Sequence, residues 1–446
     1  MTISMLKSLY RAGLTLGLVA LCAPAGAQSA TDQCLGFAEG LALAAARAPE
    51  VDGARAREAE ARADLREAGS LRRPQVSTFG RSGVGDTGLT SSQIDNQVGV
   101  RLSQRVFDFG DSRLAREAAQ GNLDQRGFDV RDQQSQAAYA VADAYLTQLE
   151  AEAMIDVIAH RREYFERQQT AVEGLLRLGG ATRADSAQIA AQLASAEAEM
   201  LELDFTEERA ATRLREYTGR SSAPCGPAQV RAVLDTQLAD LTSVDDVIAS
   251  ALSTHPQIGS QRSAIRSLEA QRERQRRSRL PVVEVVGIVS YVYADATQDW
   301  DVRDRVGVDV SVPLYSGSAL GARNDRAEAR LSQEESVLHT LQRNLGEEAE
   351  IAFRRSISLQ AQLHRRQAVA DSQLNYFDAI AGEFEFGLGT LPVLIDARLA
   401  YEQAALDVVT AQFSLLRQQL NLMRLTARMP SLASAQREAD EPEHAP

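Results

Sequence analysis

The stretch VRDRVGVDVSV, residues 302–312, alternates apolar and polar side chains almost without a break. Valine holds every second position except that of Asp304, and charged residues, glycine and serine fill the positions between. Alternate side chains of a β-strand point to opposite faces, so this period predicts a strand with one apolar and one polar face. Such strands are typical of membrane-spanning sheets around a polar interior. A surface hairpin packed on a soluble core remains the alternative.

The same period of two recurs, with decreasing regularity, over residues 94–103, 283–293 and 75–84. Short polar loops join the four strands in pairs, so we predict two β-hairpins, within residues 74–108 and 281–315. The only tryptophan, Trp300, falls in the second loop, where an interfacial anchor and an ordinary surface residue both fit. Four strands are too few to close a barrel, whereas three chains would supply about twelve. A barrel built from these strands must therefore be shared between copies of the chain.

The two hairpins belong to a duplication of the whole chain. Ala48-Pro49-Glu50 recurs 207 residues later as His255-Pro256-Gln257, and Thr218-Gly219-Arg220 recurs 208 residues later as Thr426-Ala427-Arg428. The offset changes by one residue inside the hairpin region, where loop length is tolerated. It is constant beyond that point, as paired rigid helices require, since one inserted residue rotates a helix by about 100°. We therefore predict repeat 1 over residues 28–225, a linker over 226–242 and repeat 2 over 243–430.

Each repeat continues from its hairpin into two long helices. Residues 110–178 and 318–386 contain no proline, and a helix of that length is roughly 100 Å long. Residues 183–219 and 391–428 carry apolar side chains with 4-3 spacing, seen in the second repeat at Ala397, Tyr401, Ala404, Val408, Ala411, Leu415, Leu422 and Leu425. A period of 3.5 residues predicts coiled-coil packing with a left-handed supercoil. An ordinary buried amphipathic helix is the alternative.

The ends of the chain differ in composition from the two repeats. Residues 1–27 combine two basic residues, a short apolar run and the small-residue site Ala25-Gly26-Ala27, which predicts a secretory signal peptide. After it, no run of 18 or more apolar residues would form a transmembrane helix. Residues 431–446 are predicted to be a disordered tail. The formal net charge of −13 argues against nucleic-acid binding.

Catalytic and cofactor motifs are missing from the sequence. The five histidines have no metal-ligand spacing, the cysteines form no C-x-x-C pair, and Gly387-Leu388-Gly389 lacks the lysine and the preceding strand of a phosphate loop. The basic run at residues 272–279 ends a predicted helix, where cations suit the helix dipole. We therefore expect no enzyme activity, no catalytic residues, no cofactor, no metal and no nucleic-acid partner.

The order of local motifs, present twice, resembles the TolC family of outer-membrane efflux and secretion proteins over about residues 33–430. The motifs are the alanine-containing openings that end at Pro49 and Pro256, the prolines before each first strand, the closures Val106-Phe107-Asp108-Phe109-Gly110 and Pro313-Leu314-Tyr315-Ser316-Gly317, and the Gly-x-x-Thr turns at 179–182 and 387–390. The resemblance implies a mainly α fold with a membrane β-barrel portion. Three chains would form one shared 12-stranded barrel and a long α-helical periplasmic tunnel.

The resemblance also implies a function. A homotrimer would act as the passive outer-membrane duct of a tripartite export system, contacting outer-membrane lipid, a periplasmic adaptor (membrane fusion) protein and an inner-membrane transporter. The host would be a Gram-negative bacterium. The cargo stays open between small toxic compounds and a protein exported by type I secretion. A periplasmic coiled-coil adaptor or structural protein of an envelope complex is the alternative, although such a protein would lack the duplicated hairpins.

Site residues follow from the same resemblance. The helical turns would form the adaptor-contacting tips, made of Leu178, Gly179, Gly180, Thr182, Gly387, Leu388, Gly389 and Thr390. Asp396 and Asp185 would serve the periplasmic gate and its selectivity, since a ring of carboxylates in a constriction favours cations. Gly389 and Phe384 replace the arginine and the tyrosine that hold many family members closed. Cys34 and Cys225 would both lie at the waist of the tunnel, which suggests a disulfide, although two unrelated thiols are also consistent.

Overall fold

The computed structural model describes residues 34–86, 92–294, 299–315 and 317–429. The predicted signal peptide and C-terminal tail lie outside these residues. The described helices are α1 (Phe37–Arg47), α2 (Pro49–Ser70), α3 (Asp111–Arg177), α4 (Arg183–Thr218), α5 (Pro227–Leu238), α6 (Val244–Thr254), α7 (Pro256–Arg277), α8 (Ala319–Glu385) and α9 (Leu391–Leu425). The strands are β1 (Gln75–Asp86), β2 (Ser92–Phe107), β3 (Val282–Ala294) and β4 (Asp299–Ser311).

The strands form one antiparallel sheet in the order β1-β2-β3-β4. The two hairpins therefore lie side by side, joined where β2 pairs with β3, with Val100 opposite Val289. Within the described residues, β1 and β4 each have one edge without a partner strand. The predicted hairpin ranges enclose the observed strands, but β4 begins at Asp299 and so includes Trp300, which the sequence pattern assigns to the loop.

The long helices pair into two antiparallel hairpins, α3 with α4 and α8 with α9. Helices α3 and α8 contain 67 residues each, so each is about 100 Å long. The residues with 4-3 spacing face inward along both α4 and α9, and Ile189 and Ala397, at equivalent positions of the two repeats, are both buried. Nearer the sheet, α2, α3, α7 and α8 lie side by side in that order and form a single layer, which we call the wall.

The largest apolar core lies about halfway along the helices, where α1 and α5 pack on α3, α4 and α9. Val230 and Leu234 of α5 are fully buried there. The segment predicted as a linker, residues 226–242, is thus mostly helical. Pro227 at the start of α5 fixes a backbone φ angle that suits a helix. Val230 and Leu234, one turn apart, then pack against the core. Among the described residues, no helix has both the length and the apolar character that crossing a membrane would require.

Candidate functional site

The sheet exposes a large apolar face. Val306 of β4 is 82% exposed and Val76 of β1 is 69% exposed. Other exposed members of this face are Val98, Val100, Leu102, Val285, Val289, Tyr291, Val302, Val308 and Val310. The strand register sets them in rows, with Val285 opposite Val308. A contiguous apolar surface this large is unfavourable in water and calls for a non-aqueous neighbour.

Aromatic side chains bound the apolar face at both ends. At one end, Trp300 stacks on Tyr291 with 5.4 Å between ring centroids and contacts Tyr293 edge-on at 5.7 Å. At the other end, Phe107 meets Phe109 at 4.6 Å. Phe107 pairs with Val283 and Trp300 with Tyr293, so the two groups lie about ten residues apart on β3, roughly 33 Å along the strand. With a typical strand tilt, that spacing corresponds to an apolar band about 25 Å high between two aromatic belts.

The opposite face of the sheet carries the charged side chains, although Val286 and Val292 of β3 also lie on it and are buried. Arg101 of β2 lies 3.8 Å from Asp309 of β4, and Arg105 lies 3.5 Å from its cross-strand partner Glu284. Arg101 lies between the exposed apolar residues Val100 and Leu102 of β2, and Arg105 directly precedes the exposed Val106. One face of the sheet is therefore suited to an apolar environment and the other to water. This is the division that the sequence alternation predicted.

The helical turns at the far end of both hairpins lie together. Gly179 and Gly387 adopt φ angles of 80° and 74°, the left-handed conformation that favours glycine at a helix C-terminus. Three apolar side chains project from the turns almost fully into solvent, at 84% exposure for Leu178, 84% for Phe386 and 80% for Leu388. Below them, one apolar cluster joins all four long helices and brings the two turns to the same end of the molecule. We call this end the tip.

The remaining predicted tip residues have local structural roles. Thr182 and Thr390 are the N-cap residues of α4 and α9. A Cβ atom added to Gly180 would lie 3.5 Å from Leu175, and one added to Gly389 would lie 3.4 Å from Phe384. Both distances are ordinary van der Waals contacts, so the structure has room for a small side chain at either glycine.

The two predicted gate carboxylates differ in their surroundings. Asp185 accepts hydrogen bonds at 2.8 Å from both the backbone N–H and the hydroxyl of Thr182, which completes a capping box. These bonds hold the pKa of Asp185 below its usual value. Asp396 directly follows the buried Leu394 and Ile395 in the first turns of α9 and is exposed. Within the described part of the chain it has no ion pair and no side-chain hydrogen bond, so its carboxylate is available to a solute.

A buried charged cluster near the tip was not predicted from the sequence. Glu402 of α9, 3% exposed, lies 3.0 Å from Arg398 and 3.6 Å from Arg161 of α3. Arg161 also donates to Glu199 of α4 at 2.6 Å. The Arg398 guanidinium faces three aromatic rings at 5.0–5.5 Å, those of Tyr164, Phe377 and Tyr401. Burial is the main cause that raises the pKa of Glu402 to about 7, against the opposing influence of Arg398 and Arg161.

This cluster connects both helical hairpins. Its residues come from α3, α4, α8 and α9, so any separation of the two hairpins near the tip would break it. No sequence signal marked Glu402, because it stands beside Tyr401 at the edge of the 4-3 stripe, where charged residues are ordinarily exposed.

At the waist, the structure joins Cys34 to Cys225 by a disulfide, with Cα atoms 4.9 Å apart. Tyr145 of α3, which is fully buried, holds the backbone next to this disulfide by hydrogen bonds. Its hydroxyl donates to the Leu35 carbonyl at 2.9 Å and accepts from the Cys225 N–H at 2.8 Å. The two ends of repeat 1 are thus held against the middle of α3.

Comparison with known proteins agrees with this architecture. The family described as "Outer membrane efflux protein" matches residues 40–220 and 247–428, one block in each repeat. The chain is 23% identical over 384 residues to the outer membrane efflux protein BepC of Brucella suis, covering 83% of this chain and 82% of BepC. It is 25% identical over 328 residues to the alkaline protease secretion protein AprF of Pseudomonas aeruginosa, covering 71% and 66%.

A solved structure has the same fold. The Campylobacter jejuni CmeC outer membrane channel superimposes with a TM-score of 0.72 at 14% identity, over 91% of this chain and 88% of CmeC. At that identity the likeness concerns the fold alone.

Proposed function

Since the chain belongs to the outer membrane efflux protein family, we propose that it forms the passive duct of a tripartite export system, with three copies enclosing one pore. The family and the fold are those of transport channels in the outer membrane with a periplasmic tunnel. The observation that carries the proposal for this chain is the exposed apolar face of the sheet, bounded at each end by aromatic side chains. Lipid on one side and water on the other would satisfy both faces.

The free edges of the sheet support a trimer. A four-stranded sheet cannot close on itself, and pairing β4 with β1 of the next copy would give a barrel of about twelve strands. The helices also leave apolar side chains for a neighbour. Leu201 and Phe205, one turn apart on α4, are 70% and 59% exposed, and Ile351 of α8 is 59% exposed. These residues suit a seam between copies, because coiled-coil contacts would bury them.

The tip is suited to contact a periplasmic adaptor protein. Leu178, Phe386 and Leu388 are apolar knobs on rigid, glycine-capped turns, and exposed apolar groups of this kind favour protein contact. Asp396 is the better of the two gate candidates, because its carboxylate is unoccupied whereas that of Asp185 caps a helix. In a trimer, three Asp396 carboxylates would form a ring that attracts cations.

The two relatives differ in the cargo that their names indicate. One relative is named for efflux and another for secretion of an alkaline protease. A passive duct suits either cargo, with an inner-membrane transporter as the source of energy. The alternative of a periplasmic coiled-coil adaptor is disfavoured, because it leaves the apolar face of the sheet without a purpose.

Single-channel recording in a planar bilayer tests the duct. We expect purified trimers to give long-lived, cation-selective conductance steps, and Asp396→Asn to lower the ratio of cation to anion permeability several-fold. Asp204→Asn, an equivalent change at an exposed position of α4, is the control and should leave the ratio unchanged. An unchanged ratio in Asp396→Asn would exclude the carboxylate ring. Folded trimers that remain silent, both as wild type and as Asp396→Asn, would favour the adaptor alternative.

A further inference from the structure

A cleft of about 460 Å³ lies in the wall just below the sheet, between the end of α7 and the start of α8. Its charged lining consists of Asp111, Arg274, Arg323, Arg326 and Arg330, and Gln271, Gln275 and Ser278 add polar groups. We call it the junction cleft. Its volume falls in the range of ordinary ligand sites, about 300–1,000 Å³.

The junction cleft opens on the side of the polar face of the sheet. Asp111 accepts from Arg274 at 2.8 Å and from Arg105 at 3.2 Å. Arg105 belongs to the polar face, where it lies opposite Glu284. The cleft thus continues the surface that would line the interior of the duct.

The other side of the wall carries the apolar face. Arg277, three residues beyond Arg274 on α7, donates to the Phe109 carbonyl at 3.1 Å, beside the aromatic contact with Phe107. The basic run at the end of α7 is therefore divided between the two sides of the wall. Only the Arg274 side borders the junction cleft.

The charge in the cleft is unbalanced. Asp111 is already shared by two arginines, and Glu284 contacts Arg105. Arg323, Arg326 and Arg330 are exposed, and within the described ranges none of them forms an ion pair. Four arginines against one carboxylate, Asp111, in the lining leave a net charge of +3 in each chain.

The three unpaired arginines, Arg323, Arg326 and Arg330, also lie on the same side of α8. Their spacing of three and four residues puts them on one stripe of α8, about 10 Å long. The acidic residues on this part of α8, Asp325 and Glu328, do not line the cleft, and Glu328 points to Arg272 of α7 at 3.5 Å. Like charges held this close repel one another, and an anion between them would relieve that repulsion.

We propose that the junction cleft binds an anionic group, phosphate or carboxylate, of a solute inside the duct. Guanidinium groups match both kinds of oxyanion with paired N–H donors, and Arg274 already binds the Asp111 carboxylate in this way, through two nitrogens at 2.8 Å and 3.3 Å. This proposal rests on the proposed function, because the duct would bring the anionic solute to this surface. The basic junction and the acidic Asp396 would then act on opposite charges at the two ends of the tunnel.

Calorimetric titration of detergent-solubilised full-length trimers with inorganic tripolyphosphate tests the proposal without requiring an open pore. Arg323→Gln/Arg326→Gln/Arg330→Gln should bind tripolyphosphate at least tenfold more weakly than wild type. Arg326→Gln, a single change at an exposed position that cannot disturb folding through a lost ion pair, should weaken binding about threefold. The matched control is Arg343→Gln/Arg355→Gln/Arg365→Gln, which removes three exposed arginines of α8 outside the cleft and should bind like wild type. Citrate in place of tripolyphosphate should show the same order among the variants.

Equal affinity for tripolyphosphate in wild type, in Arg326→Gln and in the triple variant of the cleft would overturn the proposal. The proposal would also be overturned if Arg343→Gln/Arg355→Gln/Arg365→Gln lost as much affinity as the triple variant of the cleft. The two proposals fail separately. A protein that binds tripolyphosphate in the cleft but never conducts would contradict the duct alone. A conducting protein whose affinity for tripolyphosphate ignores the cleft arginines would contradict the cleft alone.

Discussion

Replacing Glu402 by glutamine should change how the stability of the protein depends on pH. The Glu402 side chain is 4% exposed and lies between Arg398 and Arg161, yet burial raises its pKa to about 7 from an ordinary value of 4.5. Glutamine keeps the size and the hydrogen-bonding groups but removes the titration. The substitution therefore isolates the effect of the buried carboxylate.

The sign of the effect follows from proton uptake. Between pH 4.5 and 7, the folded chain holds a proton on Glu402 that the unfolded chain has released. This contribution to the free energy of unfolding is fully present below pH 4.5 and is lost as the pH rises through 7. Across about 2.5 pH units, at about 1.4 kcal/mol per unit, it amounts to about 3.5 kcal/mol per chain.

Thermal unfolding followed by circular dichroism at 222 nm, at pH 5 and pH 8, measures the difference. Relative to wild type, Glu402→Gln should be more stable at pH 8 than at pH 5, by up to about 3 kcal/mol per chain. The control, Glu350→Gln, breaks only an exposed pair with Arg354 and should show no such difference. A Glu402→Gln variant that instead loses stability at pH 8 would refute the reasoning. That result would mean that the two arginines outweigh burial and hold the carboxylate ionised.

Two further predictions concern the waist and the tip. Tyr145→Phe removes the hydroxyl that forms hydrogen bonds with Leu35 and Cys225, so buried backbone groups lose a partner. The free energy of unfolding should therefore fall by about 1–3 kcal/mol in the same unfolding assay. An unchanged melting temperature would mean that the disulfide alone holds the waist. Phe386→Gln alters a side chain that is 84% exposed, so it should leave the melting temperature unchanged while weakening binding of the cognate adaptor several-fold in surface plasmon resonance. Equal adaptor affinity would remove Phe386 from the contact.

Much of the fold could be predicted from the sequence because its signals are local. The period of two predicted the hairpins, and their strands start and end within a few residues of the predicted ranges, except that β4 takes in Trp300. The absence of proline and the constant repeat offset predicted long helices over 110–178 and 318–386, and the structure has Asp111–Arg177 and Ala319–Glu385. Each signal is read from the order and spacing of residues along the chain, so it needs no knowledge of packing.

The candidate sites were less predictable. A tip at the glycine turns was expected, but no pattern singled out Phe386, which the turn geometry exposes as fully as Leu178. Asp185 matched an acidic tip position, whereas its carboxylate completes a capping box. A capping box has its own local pattern, a threonine followed three residues later by an acid. That pattern is present at Thr182 and would have identified the role.

The sequence by itself determined the duplication, the periods of its strands and helices, and the separation of apolar from polar residues, because these depend on spacing along one chain. Only the tertiary structure decided which charges meet. Arg161 and Glu402 are brought together from different repeats, and Arg274 and Arg277, three residues apart on α7, serve opposite sides of the wall. The physical reason is that burial and ion pairing depend on which helices become neighbours. That choice is made by side-chain packing between segments hundreds of residues apart.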